Sequence, residues 1–73
     1  MARVLLYTRS DCAHSRDLLA DLGAGEDIVE EVNLIDEPQA MTEFLKLTNG
    51  RRIVPVVVRG AVITIAPDGG TEF

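Results

Sequence analysis

Apolar residues fill both parities of Arg3-Val4-Leu5-Leu6-Tyr7-Thr8, a run rich in β-forming side chains. A strand sends alternate side chains to opposite faces, so a strand built from this run is covered on both sides and lies in the middle of its sheet. The sheet around it must be assembled by a chain of only 73 residues. Residues 1–73 are therefore expected to form a single domain with a thin core, one that supplies only about 3–5 kcal/mol. The loss of any element then matters, and a dimer interface would help.

The following segments supply partners for that strand. Ser10 or Asp11 is placed to cap a helix in which Leu18, Leu19 and Leu22 recur at helical spacing until Gly23 and Gly25 stop it. A second strand is expected over Ile28–Ile35, and its glutamates suggest a sheet edge. Asp36-Glu37-Pro38-Gln39 reads as a helix start with capping-box spacing and a tolerated first-turn proline, and Met41, Phe44, Leu45 and Thr48 form the apolar stripe behind it. Asn49-Gly50 ends that helix. A third strand spans Ile53–Val58, with Pro55 expected near its start because proline cannot donate to a ladder. Arg59-Gly60-Ala61 is a tight turn, Val62–Ile65 returns as the second strand of a hairpin, and Ala66-Pro67-Asp68-Gly69-Gly70 has turn chemistry. The order β-α-β-α-β-β implies an α/β domain of three layers, with a parallel crossover in the first half and an antiparallel hairpin in the second. The short loops allow both helices to lie on one face.

Charge narrows the partners. A net charge of -5 disfavours nucleic acid and anionic membranes, both of which need a basic surface. The cations are six Arg and one Lys, and guanidinium groups suit fixed carboxylate recognition. A single cysteine excludes an internal disulfide and a paired-cysteine zinc site, so no metal site is expected and the setting is read as cytoplasmic. No apolar run reaches the length of a signal core or a membrane span.

That cysteine, Cys12, sits in a polar loop at the start of the first helix, with Arg9 three residues before it and Arg16 four after. Unpaired backbone N–H groups, the helix dipole and nearby cations each favour thiolate over thiol, so Cys12 is the candidate nucleophile despite the general tendency of lone cysteines to be buried and inert. Ser15 stands where a dithiol protein would carry its second cysteine. A serine cannot resolve a mixed disulfide, so exchange at Cys12 must finish with an external thiol. His14, two residues along the helix, is expected to be a solvated surface residue. Ile53-Val54-Pro55 could hold a cis peptide beside a docking edge for an extended peptide, and Gly69-Gly70 could present backbone amides to a ligand carboxylate.

Tyr7-Thr8-Arg9-x-x-Cys12-x-x-Ser15, then Gly50-Arg51-Arg52-Ile53-Val54-Pro55, then Gly69-Gly70 together resemble the ordered signatures of the glutaredoxin family, of thioredoxin-like fold. The resemblance implies a glutathione-dependent thiol-disulfide oxidoreductase of the monothiol type, acting by exchange or deglutathionylation. It places the nucleophile at Cys12, the cis proline at Pro55, and the binding of glutathione as co-substrate at Arg9, Ser15, Arg52, Val54, Gly69 and Gly70. Ile53 stands in place of the family's threonine, the interval from Pro55 to Gly69-Gly70 is longer, and the family's terminal helix is lacking, which leaves a sheet face open to a second copy. The chain is also similar to a small bacterial glutaredoxin-like group called UXX-star, in which selenocysteine can occupy the nucleophile position. Glutathione, a small disulfide or a protein thiol are the implied partners. Two alternatives follow from related resemblances: a glutathione-dependent iron–sulfur carrier, although Ala13-His14 replaces the Gly-Phe pair of its C-G-F-S motif, and an arsenate-reductase-like thiol protein, from Cys12-x-x-Ser15-Arg16.

Overall fold

The computed structural model describes residues 3–67 and 69–73. The two-parity run forms strand β1 (Arg3–Thr8), followed by helix α1 (Ala13–Gly23) and strand β2 (Ile28–Asn33). One 3-10 turn, Pro38–Ala40, leads into helix α2 (Met41–Leu47). The strands β3 (Ile53–Val54), β4 (Val56–Arg59), β5 (Val62–Ile65) and β6 (Thr71–Glu72) complete the mixed α/β domain. The main sheet has the order β2-β1-β4-β5, with β1 and β2 parallel and the other two pairings antiparallel. β1 is thus internal, as its pattern requires, and β2 and β5 are the edges. A separate two-stranded antiparallel ribbon joins β3 to β6.

The expectation that both helices share a face is overturned. Val4, Leu6 and Val57 point to one side, where Leu18, Leu19 and Leu22 of α1 cover them. Tyr7 and Val56, their neighbours in register, point to the other, where Phe44 of α2 packs with Leu34 and Val54. The physical reason lies in β1 itself: a strand apolar on both parities loses hydrophobic stabilisation unless each face has its own cover, and two short helices on one side would leave Tyr7 and Val56 in water.

Three local readings also change. β2 ends at Asn33, two residues early, because the Asn33 side-chain oxygen accepts hydrogen bonds from the Ile35 and Asp36 amides and bends the chain. Leu34 then turns into the core while Ile35 stays exposed. The same Asn33 contacts pre-empt a cap by Asp36, and the 3-10 turn starts after Glu37 with no side-chain cap, Pro38 occupying its first turn as expected. The expected third strand is split at Pro55 into β3 and β4. The turn after β5 carries left-handed Ala66 (φ 47°) and Gly69 (φ 101°); Asp68, assigned to that turn from the sequence, lies outside the described residues. Among the described residues no helix is long and apolar enough to cross a membrane.

Phe44 organises the α2 face. It is fully buried, with the Tyr7 ring 5.3 Å away on one side and the Phe73 ring 5.8 Å away on the other. Thr48 ends α2 beneath it, with its hydroxyl 2.7 Å from the Arg51 carbonyl oxygen and 3.1 Å from that of Phe44, so one buried side chain ties the last helical turn to the loop after it. Left-handed Asn49 and Gly50 then reverse the chain. Truncating Phe44 to alanine should cost about 3–5 kcal/mol, which matches the whole stability of a core this small, so Phe44→Ala should show no cooperative urea transition by circular dichroism. Thr48→Val should remain folded, with its unfolding free energy lowered by about 1 kcal/mol.

A buried thiol at a helix start, roofed by a strand edge

The turn after β1 is closed by the Cys12 amide donating to the Arg9 carbonyl at 3.1 Å. Cys12 then takes an extended conformation (φ -110°, ψ 113°) and becomes the N-cap of α1, with the Ser15 N–H donating to its sulfur at 3.4 Å. Neither Ser10 nor Asp11 is the cap, contrary to the expectation from sequence. The Ser10 hydroxyl accepts from Asn33 Nδ2 at 2.8 Å, and the Asp11 carboxylate pairs with the Arg9 guanidinium at 3.1 Å. With both oxygen caps engaged elsewhere, sulfur takes the position. A thiolate accepts the N–H of the first turn far better than a thiol does, so capping by sulfur favours ionisation.

Cys12 is only 1% exposed. Its sulfur lies 3.2 Å from the Thr71 hydroxyl of β6 and 3.7 Å from the Val54 carbonyl of β3. Burial is the largest single influence on the thiol and pushes its pKa up; the Ser15 and Thr71 hydroxyls and the Ser15 and His14 backbone N–H groups together outweigh it, and the net direction is below the ordinary thiol value. Ser15 is buried beside Cys12, and its hydroxyl finds no hydrogen-bond partner of ordinary geometry among the described residues. An ionised sulfur is the acceptor that would satisfy it.

The roof over the sulfur is the β3–β6 ribbon. The Val54-Pro55 peptide bond is cis. Val54 pairs with Thr71 and Ile53 with Glu72, and the Phe73 amide donates to the Arg52 carbonyl at 2.9 Å. Gly70 lies so close to β3 that an added Cβ would strike the Val54 carbonyl oxygen and the Ala66 side chain, so only glycine fits. Gly69 lies against the imidazole of His14, which is exposed as expected.

Of the residues singled out from sequence, Cys12, Ser15, Val54, Pro55, Gly69 and Gly70 come together around this roof. Arg9 is near but engaged: besides its pairing with Asp11, whose carboxyl it holds below the usual range by hydrogen bonding, its guanidinium stacks 4.4 Å over the Phe73 ring. Arg52 is not brought to the sulfur. It lines a separate shallow cavity of about 320 Å³ with Gly50, Arg51, Ile53, Glu72 and Phe73. Sequence reasoning missed Thr71 of β6, which contacts Cys12, and Phe73 just after that strand, which contacts Arg9; their only signal is the alternation Thr71-Glu72-Phe73, too short to carry a strand assignment. Comparisons with protein-family models, curated proteins and solved structures find no match to this chain.

The hydrogen bonds fix the sign of two expected effects. Cys12 should ionise below about pH 8.5, the value of an unperturbed thiol, when its thiolate ultraviolet absorbance is followed against pH. Ser15→Ala and Thr71→Val should each move that midpoint upward. Because the folded pKa is the lower one, the thiolate adds stability that is fully present above the unfolded-state pKa and fades as pH falls through the folded one. The difference in urea stability between the natural chain and Cys12→Ser should shrink over that interval.

Proposed function

We propose that this is a monothiol thiol-disulfide exchange protein of thioredoxin-like fold, with Cys12 as nucleophile and glutathione as co-substrate. The observation that carries the reading is the Cys12 sulfur acting as helix cap, ringed by N–H and hydroxyl donors, directly beneath the Val54-Pro55 edge. Such donors raise the thiolate fraction, and the thiolate is the attacking species. The parallel β1–β2 pair flanked by the antiparallel β4–β5 hairpin is compatible with that fold.

The chemistry has two steps. The Cys12 thiolate attacks one sulfur of a disulfide, a new S–S bond forms to Cys12, and the old S–S bond breaks to release the other sulfur as a thiolate that takes a proton from solvent. Ser15 holds no thiol to attack this intermediate. An external thiol, glutathione in this reading, attacks the substrate sulfur as its thiolate; a new S–S bond forms between the two, the bond to Cys12 breaks, and Cys12 leaves as the thiolate it began as. Val54 would pair with the substrate backbone, Gly69 and Gly70 would allow its close approach, and Arg9 and Arg52 would attract its carboxylates.

Prolonged incubation of the full chain with oxidised glutathione should yield one glutathionyl adduct on Cys12 by mass spectrometry. Reduced glutathione should remove it, and Cys12→Ser should form none. Absence of any adduct would overturn the proposal.

A further inference from the structure

The position a disulfide would need is already filled by the chain itself. Thr71 of β6 and Phe73, the residue that follows the strand, both lie on the sulfur side of the ribbon, Thr71 at Cys12 and Phe73 at Phe44 and Arg9. Thr71 sets its hydroxyl 3.2 Å from Cys12 Sγ, the place where an attacked sulfur would stand. Phe73 packs on Phe44 and under the Arg9 guanidinium. Glu72 points to the opposite face. With β6 in place the sulfur is 1% exposed, and no disulfide can reach it.

The attachment of β6 is slight. It pairs over two residues, Ile53↔Glu72 and Val54↔Thr71, with one further amide bond from Phe73 to Arg52. Both β6 residues are otherwise exposed. A ladder this short opens far more easily than the main sheet, whose β1 runs through six paired positions with β2. A separate peptide with the same pattern of backbone groups could take its place on β3.

We propose that β6 is an internal stand-in for substrate, which closes the Cys12 site until an extended peptide disulfide displaces it. This rests on the exchange reading above and adds the substrate class. The displacing peptide runs antiparallel to β3, carries its disulfide-bonded cysteine at the position of Thr71, and has an aromatic residue two positions later at that of Phe73. Cys12 thiolate then forms an S–S bond to the peptide cysteine as that cysteine's original S–S bond breaks, and the departing sulfur leaves as a thiolate and is protonated.

The test compares the natural chain with Phe73→Ala, which removes the ring anchor, and Gly70→Ala, whose Cβ would press β6 away from Val54. Reaction of Cys12 with iodoacetamide should accelerate about tenfold in Phe73→Ala, the factor expected from loss of one aromatic contact, and should also accelerate in Gly70→Ala. In Phe73→Ala, a mixed disulfide of a Gly-Gly-Cys-Glu-Phe peptide with a small thiol should react about tenfold faster than its Gly-Gly-Cys-Glu-Ala counterpart by the same contact. Equal alkylation rates in folded natural and variant chains would overturn the closure, and equal rates for the two peptides would overturn the substrate pattern. A measurement without variants guards against misfolding. Alkylation of natural Cys12 should be insensitive to low urea, and so should hydrogen exchange at the Phe73 amide, as a local opening requires; alkylation that rises with the slope of global unfolding would overturn the proposal. Faster alkylation of the variants with no mixed disulfide from any donor would leave the closure standing and overturn the exchange reading alone.

Discussion

Burial of β1 on both faces is the constraint from which the other placements follow. Val4 and Leu6 need one layer and Tyr7 another, and each layer is a single short helix with little to spare. α1 must therefore start directly off the end of β1 to reach the first face, which puts Cys12 in the turn between them. α2 must cross to the second face, which brings Phe44 under the β3–β6 ribbon. The site lies where these two requirements meet, at the end of the central strand.

At that end, two opposing effects act on one sulfur atom. Burial disfavours the thiolate, and the donors of the first helical turn and of Thr71 favour it. The donors prevail because they are fixed by the fold: Ser15 N–H belongs to the helix, Ser15 Oγ is held in the core, and Thr71 is registered against Val54. The Ser15 N–H already points at the sulfur as its cap, so for that donor little reorganisation opposes the charged form.

Three of the residues expected from the glutaredoxin resemblance to hold glutathione, Val54, Gly70 and Arg9, are engaged within the chain by the ribbon that lies over Cys12. Val54 is paired with Thr71, Gly70 is pressed on the Val54 carbonyl, and Arg9 is stacked on Phe73. A strand edge with free backbone groups is a liability in water as well as a binding site, and a short intramolecular partner protects it while remaining displaceable. Arg52 departs from this arrangement, since only its carbonyl takes part, through the Phe73 amide.

Much of this was written in local residue patterns. Both parities of Val4–Tyr7 demanded a central strand, Asn49-Gly50 demanded a helix stop, and the position of Cys12 after an apolar strand and before Leu18, Leu19 and Leu22 placed it at a helix start. These follow from short-range sterics and periodicity, which a sequence carries within a few residues. What depended on partners distant in the chain was decided only by the tertiary structure. Asn33, from the end of β2, bonds the Ser10 hydroxyl and, with Asp11 held locally by Arg9, sulfur becomes the cap. The two faces of β1 each draw one helix, because side-chain parity says that both faces need cover but not which segment supplies it. Thr71-Glu72, too short for any periodic signal, becomes a strand solely because β3 offers it an edge, and with it comes the roof over Cys12.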